Sequence, residues 1–115
     1  MRKIPRQFQL GPHVVKVYLV NEKEMAKVSS TPYASDEERD EDKSIPWGLW
    51  IRGENAIFVQ KVRLGFNESQ QIHTFWHEYY HALFAMLNKS DMTDNEELVD
   101  QCGLLHTQML QTAKY

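Results

Sequence analysis

The chain has 115 residues, 42% hydrophobic and 11% aromatic, which makes one domain, 1–115, with enough apolar side chains for a compact core. Thirteen Lys and Arg against 16 Asp and Glu give a formal net charge of −3, which argues against a dedicated nucleic-acid binder. The single cysteine, Cys102, excludes an intrachain disulfide. Neither a signal-type apolar stretch after the charged start Met1–Arg6 nor a run of membrane-spanning length is present, so a soluble, cytoplasmic setting without membrane contact is expected.

Gln7-Phe8-Gln9-Leu10 alternates polar and apolar, Gly11-Pro12 is turn punctuation, and His13 to Val20 is rich in β-branched and aromatic residues. Together they predict a β-hairpin in the core sheet, with no chemistry of its own. Residues 22–28 are polar and fit no single element. Ser35 to Lys43 carries six acids, two bases and almost nothing apolar, so it cannot bury surface and is expected to be a solvated loop. It lacks the spacing and the glycine of an EF-hand. Trp47-Gly48-Leu49-Trp50-Ile51 and Ala56-Ile57-Phe58-Val59 then flank Arg52-Gly53-Glu54-Asn55, a second hairpin with Gly and Asn in its turn. Trp47 and Trp50 are expected in the core or in a cleft wall.

Asn67 to Asn88 contains neither Pro nor Gly, which predicts a long helix, with Asn67 as its N-cap and Gln70 completing a capping box. Apolar residues surround this helix on most sides except at His77, Glu78 and His81, so it belongs at the domain centre. Those three residues spell H-E-x-x-H. Residues four apart lie one turn up on the same face, so His77 and His81 can each turn a ring nitrogen to one Zn²⁺. Glu78 is about 100° round from His77, where its carboxylate reaches the edge of such a site as a general base rather than a ligand. His73, one turn earlier, and Tyr80 lie near enough to be weighed as assistants, although a solvated helix-start histidine is the simpler account of His73.

Asn88–Asp91 ends the helix, and Asp94 is the expected cap of the next one, with Glu97 completing its capping box. That helix should run to about Thr112, with Leu98, Cys102, Leu105 and Met109 as its apolar stripe and Cys102 a buried small hydrophobe. A zinc site needs a third protein ligand, and Asn95–Asp100 offers Glu96 and Asp100, again four apart on one face. Gly103 lies on that same face and would let this helix approach the His77–His81 helix closely. His106, at the edge of the face, is a candidate transition-state donor.

These residues resemble the gluzincin metallopeptidases, in which H-E-x-x-H is followed by a helix bearing E-x-x-x-D. In thermolysin-like members that helix reads N-E-x-x-S-D, matched here from Asn95 to Asp100 except for Val99. The resemblance implies that Glu96 is the third ligand and that Asp100 accepts a hydrogen bond from a ligand histidine. Glu97, occupied in the capping box, leaves Glu96 free to face the metal. Over about Gly48 to Leu110 the chain is similar to the minigluzincins, the small single-domain relatives of the ImmA/IrrE phage-repressor peptidases. Those members usually carry Ala and Asn where this chain has Val99 and Asp100.

The expectation is therefore an α+β, zincin-like fold: a small antiparallel sheet of three to four strands followed by two main helices. The resemblance implies that the second hairpin supplies the edge strand against which a polypeptide substrate is added. It further implies a zinc metallopeptidase. Two other classes carry the same residues: a zinc-stabilised structural or interaction domain without catalysis, and a SprT-like protease of DNA-bound proteins, which would need a basic surface.

Overall fold

The computed structural model describes residues 4–29 and 45–114. The acidic segment Ser35–Lys43 lies outside them. Strands β1 (Gln7–Leu10) and β2 (His13–Val20) form an antiparallel hairpin closed at Leu10↔His13. Gly11 takes φ +56° in this turn, a sign that Gly adopts freely, and Pro12 pre-sets the next φ. The residues left ambiguous form helix α1 (Glu22–Ser29). Asn21 and Glu24 cap it reciprocally, with Glu24 N–H donating to Asn21 Oδ1 at 2.8 Å and Asn21 N–H to Glu24 Oε1 at 3.2 Å. The fully buried Met25, with the partly buried Val28 packed beside it, holds this largely polar helix to the sheet.

Strands β3 (Gly48–Ile51) and β4 (Ala56–Gln60) form the second hairpin, turning through Arg52–Glu54 and a left-handed Asn55 at φ +48°. Strand order is β1-β2-β4-β3, and here the structure corrects the all-antiparallel expectation: β2 and β4 run parallel, in register Val17↔Ile57, so the sheet is mixed. The second hairpin docks through β4 rather than β3. Ala-Ile-Phe-Val is a near-continuous apolar run, the signature of a strand covered on both faces, whereas β3 opens on a glycine. Alternation sends Trp50, Ile57 and Val59 to one core and Leu49 and Ile51, with Met25 of α1, to another.

Helix α2 (Glu68–Met86) lies on the Trp50 side of the sheet. Its Asn67–Gln70 capping box is present in both directions at 2.8 Å. Ile72, Phe75 and Ala82 are buried against the strands, and the buried Gln71 donates to the Gln60 carbonyl at 2.9 Å, tying α2 to β4. The helix stops at Asn88, whose φ of +59° is the left-handed terminating conformation.

A single turn, α3 (Ser90–Thr93), leads into α4 (Glu96–Thr112). Asp94 closes α3 instead of capping α4. The cap is Asn95, whose side chain accepts from Leu98 N–H at 3.0 Å, so Glu97 is not a box partner. The apolar stripe expected on α4 does not face the core: Leu105 is 62% and Met109 53% exposed, Leu98 and Cys102 are half-buried, and the buried positions are Val99, Gly103 and Thr107. α4 packs through its small face because that face allows the closer approach. A Cβ on Gly103 would stand 2.9 Å from the backbone nitrogen of His77, so the expected close passage of the two helices is present. Among the described residues, no helix is long and apolar enough to cross a membrane.

Candidate metal centre

The spacing that puts His77 and His81 on one face of α2 leaves their ring centroids 5.0 Å apart. Ligand-capable atoms of His77, Glu78 and His81 all lie within 4.8 Å of one another. α4 crosses at Gly103 and brings Glu96 over them. Glu96 Oε1 is 2.7 Å from His81 Nε2, and Oε2 is 3.1 Å from His77 Nε2. The two imidazoles and the carboxylate named in the sequence thus converge.

What lies behind the rings fixes which nitrogen faces inward. His77 Nδ1 is 3.2 Å from Asp100 Oδ1, and a carboxylate only accepts, so Nδ1 carries a hydrogen and Nε2 is the nitrogen turned to Glu96. His81 Nδ1 is 3.1 Å from Thr93 Oγ1. That hydroxyl spends its one hydrogen on the His81 carbonyl, also at 3.1 Å, so it accepts from Nδ1–H and again leaves Nε2 as the nitrogen turned to Glu96. Two ring nitrogens and a carboxylate thus meet at one point. Positive charge between them, from a metal ion or from the rings' own protons, is what makes such a meeting favourable.

The spacing suits a small divalent ion. Donors about 2.0–2.1 Å from a tetrahedral ion stand roughly 3.3 Å apart. The observed 2.7 and 3.1 Å need only a small outward shift of Glu96, whose side chain is 45% exposed and able to move. Burial alone would raise the Glu96 carboxyl. Hydrogen bonds from His77 and His81, and their charges, outweigh it and hold the carboxyl well below the usual carboxylate range. Glu96 is therefore anionic at neutral pH, as a ligand must be.

Glu78 is buried, at 2% exposure, beside β3. A Cβ on Gly48 would come within 3.0 Å of Glu78 Cγ and 2.4 Å of Thr74 Cγ2, so the bare backbone at Gly48 makes room for this carboxylate. An open cleft of about 230 Å³ runs past it, lined by Pro46, Trp47, Gly48, His73, Thr74, His77, Glu78 and Asp100. β3 is the terminal strand of the described sheet on this side. Trp47 forms a cleft wall, its ring stacked on Phe66 with centroids 4.3 Å apart and Arg63 over it at 4.9 Å.

Tyr80 and His106 are not brought to this centre. They hold each other, Tyr80 Oη to His106 Nδ1 at 3.1 Å, with His106 stacked on Trp76 at 3.6 Å, and neither lines the cleft. Burial lowers the His106 imidazole. It raises the Tyr80 hydroxyl, with smaller contributions from Cys102 and Tyr79, so the pair stays neutral. Two residues of the centre went unread in the sequence. Thr93 belongs to no motif and no period marks it. Gly48 did carry a signal, since an isolated Gly within an apolar strand marks a close approach of something else.

Compared with known proteins, the chain matches no family model, no curated protein and no solved structure.

Proposed function

We propose that the protein is a zinc-dependent peptidase of the gluzincin type, resembling the minigluzincins, with His77, His81 and Glu96 as metal ligands and Glu78 as general base. The observation that carries this reading is the convergence of His77 Nε2, His81 Nε2 and the Glu96 carboxylate on one point, at 2.7 and 3.1 Å. His₂Glu is a donor set that zinc takes in catalytic sites, where it leaves a fourth position open. Bound there, zinc would supply a Lewis acid and lower the pKa of a water to roughly 7.

The chain's own residues have separable tasks. Asp100 and Thr93 hold the two imidazoles in the tautomer that binds metal. The cleft at the start of β3 admits an extended polypeptide, which a strand edge binds through main-chain hydrogen bonds. Glu78, kept from bulk water, takes a proton on a carboxylate oxygen as water adds to the peptide carbonyl and returns it to the departing amine nitrogen. A single cysteine and a chain free of long apolar helices among its described residues suit a cytoplasmic enzyme.

The test is Glu78→Gln in the zinc-loaded protein, assayed on unfolded polypeptides. The variant keeps its zinc and loses at least 100-fold in turnover, within the range that general-base catalysis contributes. Full turnover by that variant removes Glu78 from its role. A zinc-stabilised interaction domain has one observation in its favour, since the same few residues tie α2, α3 and α4 together. Zinc retention with no cleavage of any unfolded protein by the wild type would decide for it.

A further inference from the structure

Continued beyond His77, the alternation of bases on α2 and acids on α4 gains one more member. Asp100 Oδ1, already 3.2 Å from His77 Nδ1, lies 3.4 Å from Nε2 of His73, one turn earlier on α2. That nitrogen is shielded from solvent and makes no aligned hydrogen bond, and Asp100 is the acceptor placed to receive it. A shielded N–H with one carboxylate oxygen in reach is drawn to it, because leaving it unmatched costs more than a small side-chain rotation. Asp100 has little else to hold it. Its side chain is 55% exposed, so without a second donor it can swing into water and release the His77 ring.

We infer that His73 is a positioning residue for the metal centre: it holds the same Asp100 oxygen that His77 does and thereby fixes the imidazole that binds the ion. The inference rests on the zinc reading above and adds to it a residue that acts through Asp100. His73 lines the cleft with its Nε2 3.4 Å from Asp100 Oδ1, so the effect assigned to that nitrogen is read in metal affinity.

The experiment is a chelator-competition measurement of zinc affinity on the full chain, for wild type, His73→Ala, His73→Gln, Asp100→Ala and the double variant His73→Ala/Asp100→Ala. Loss of an outer-shell partner costs about 10–100-fold in metal affinity, which sets the expectation for Asp100→Ala. His73→Ala, one step further out, weakens zinc by a smaller factor, roughly three- to tenfold. His73→Gln, which keeps an N–H donor, recovers part of the loss. The double variant binds no more weakly than Asp100→Ala, because His73 has nothing to act through once Asp100 is gone. Equal or tighter binding by His73→Ala, or a loss in the double variant equal to the product of the single losses, overturns the inference. Failure of the wild type to bind zinc overturns the functional reading itself, a result distinct from wild-type binding that His73→Ala leaves unchanged. Because Ala could loosen the helix, ¹⁵N NMR of the metal-free protein provides a second readout. The His77 Nδ1–H should exchange with solvent several-fold faster in His73→Ala than in His73→Gln, and equal rates contradict the inference.

Discussion

Thr93 holds the His81 ring through Nδ1, which turns Nε2 to the candidate metal centre. It donates to the His81 carbonyl and accepts from the His81 ring, both at 3.1 Å. Val has a closely similar shape and cannot accept, so Thr93→Val releases the tautomer while leaving the packing near α3 almost unchanged. We expect zinc affinity to fall by about tenfold, as for other outer-shell losses, with a nearly unchanged melting temperature; isothermal titration and thermal unfolding check the two halves. Glu96 gives a prediction of opposite character, about pH. Its carboxyl is held below its ordinary value of 4.5 by its histidine partners against the effect of burial. A group whose folded pKa is depressed contributes stability that is present above its unfolded pKa and lost as pH falls towards the folded one. The metal-free protein should therefore lose stability on acidification below about 4.5, and Glu96→Gln should flatten that part of a thermal-unfolding profile against pH. At this scale the histidines and Glu78 were legible because a four-residue spacing is a statement about helix geometry. Thr93 was not, because its role depends on where α3 places it.

α4 shows how an element can be read correctly in extent and wrongly in orientation. Its apolar periodicity suggested that Leu98, Cys102, Leu105 and Met109 face inward. The helix instead packs through Val99, Gly103 and Thr107, because close approach to α2 at His77 requires the absence of a side chain. Glu96, Asp100 and Gly103 share a face, and that face, rather than the greasier one, is turned to His77 and His81. Adding a Cβ to Gly103 meets backbone atoms of His77 at 2.9 and 3.0 Å, which cannot yield as a flexible side chain can. Gly103→Ala should destabilise the fold by about 1–3 kcal/mol, the usual cost of overpacking, and weaken zinc by moving Glu96 away from the histidines. Leu105→Gln, on the exposed face, should change stability by less than about 0.5 kcal/mol. Urea unfolding of the two variants side by side tests the assignment of faces. A larger loss for Leu105→Gln would mean that the stripe is buried after all.

Across the whole molecule, the α+β class and both hairpins followed from local signals: alternation, β-branched runs and Gly, Pro or Asn at the turns. How the hairpins join did not. The parallel pairing of β2 with β4 brings together residues some 40 positions apart, such as Val17 and Ile57, and nothing in either hairpin alone specifies it. Yet that pairing leaves β3 at the rim of the described sheet, with Gly48, at its start, beside Glu78 and lining the cleft. Helix α1, unread because one buried Met in a polar segment carries no periodicity, closes the other face around Leu49 and Ile51.

The proposed metal binding can be measured without knowing a substrate. Purified protein, exposed to equimolar zinc and dialysed against metal-free buffer, should retain one zinc per chain by elemental analysis, while His77→Ala and Glu96→Ala, folded by circular dichroism, should retain little. A wild type that keeps no zinc, or a folded Glu96→Ala that keeps all of it, would contradict the centre described above.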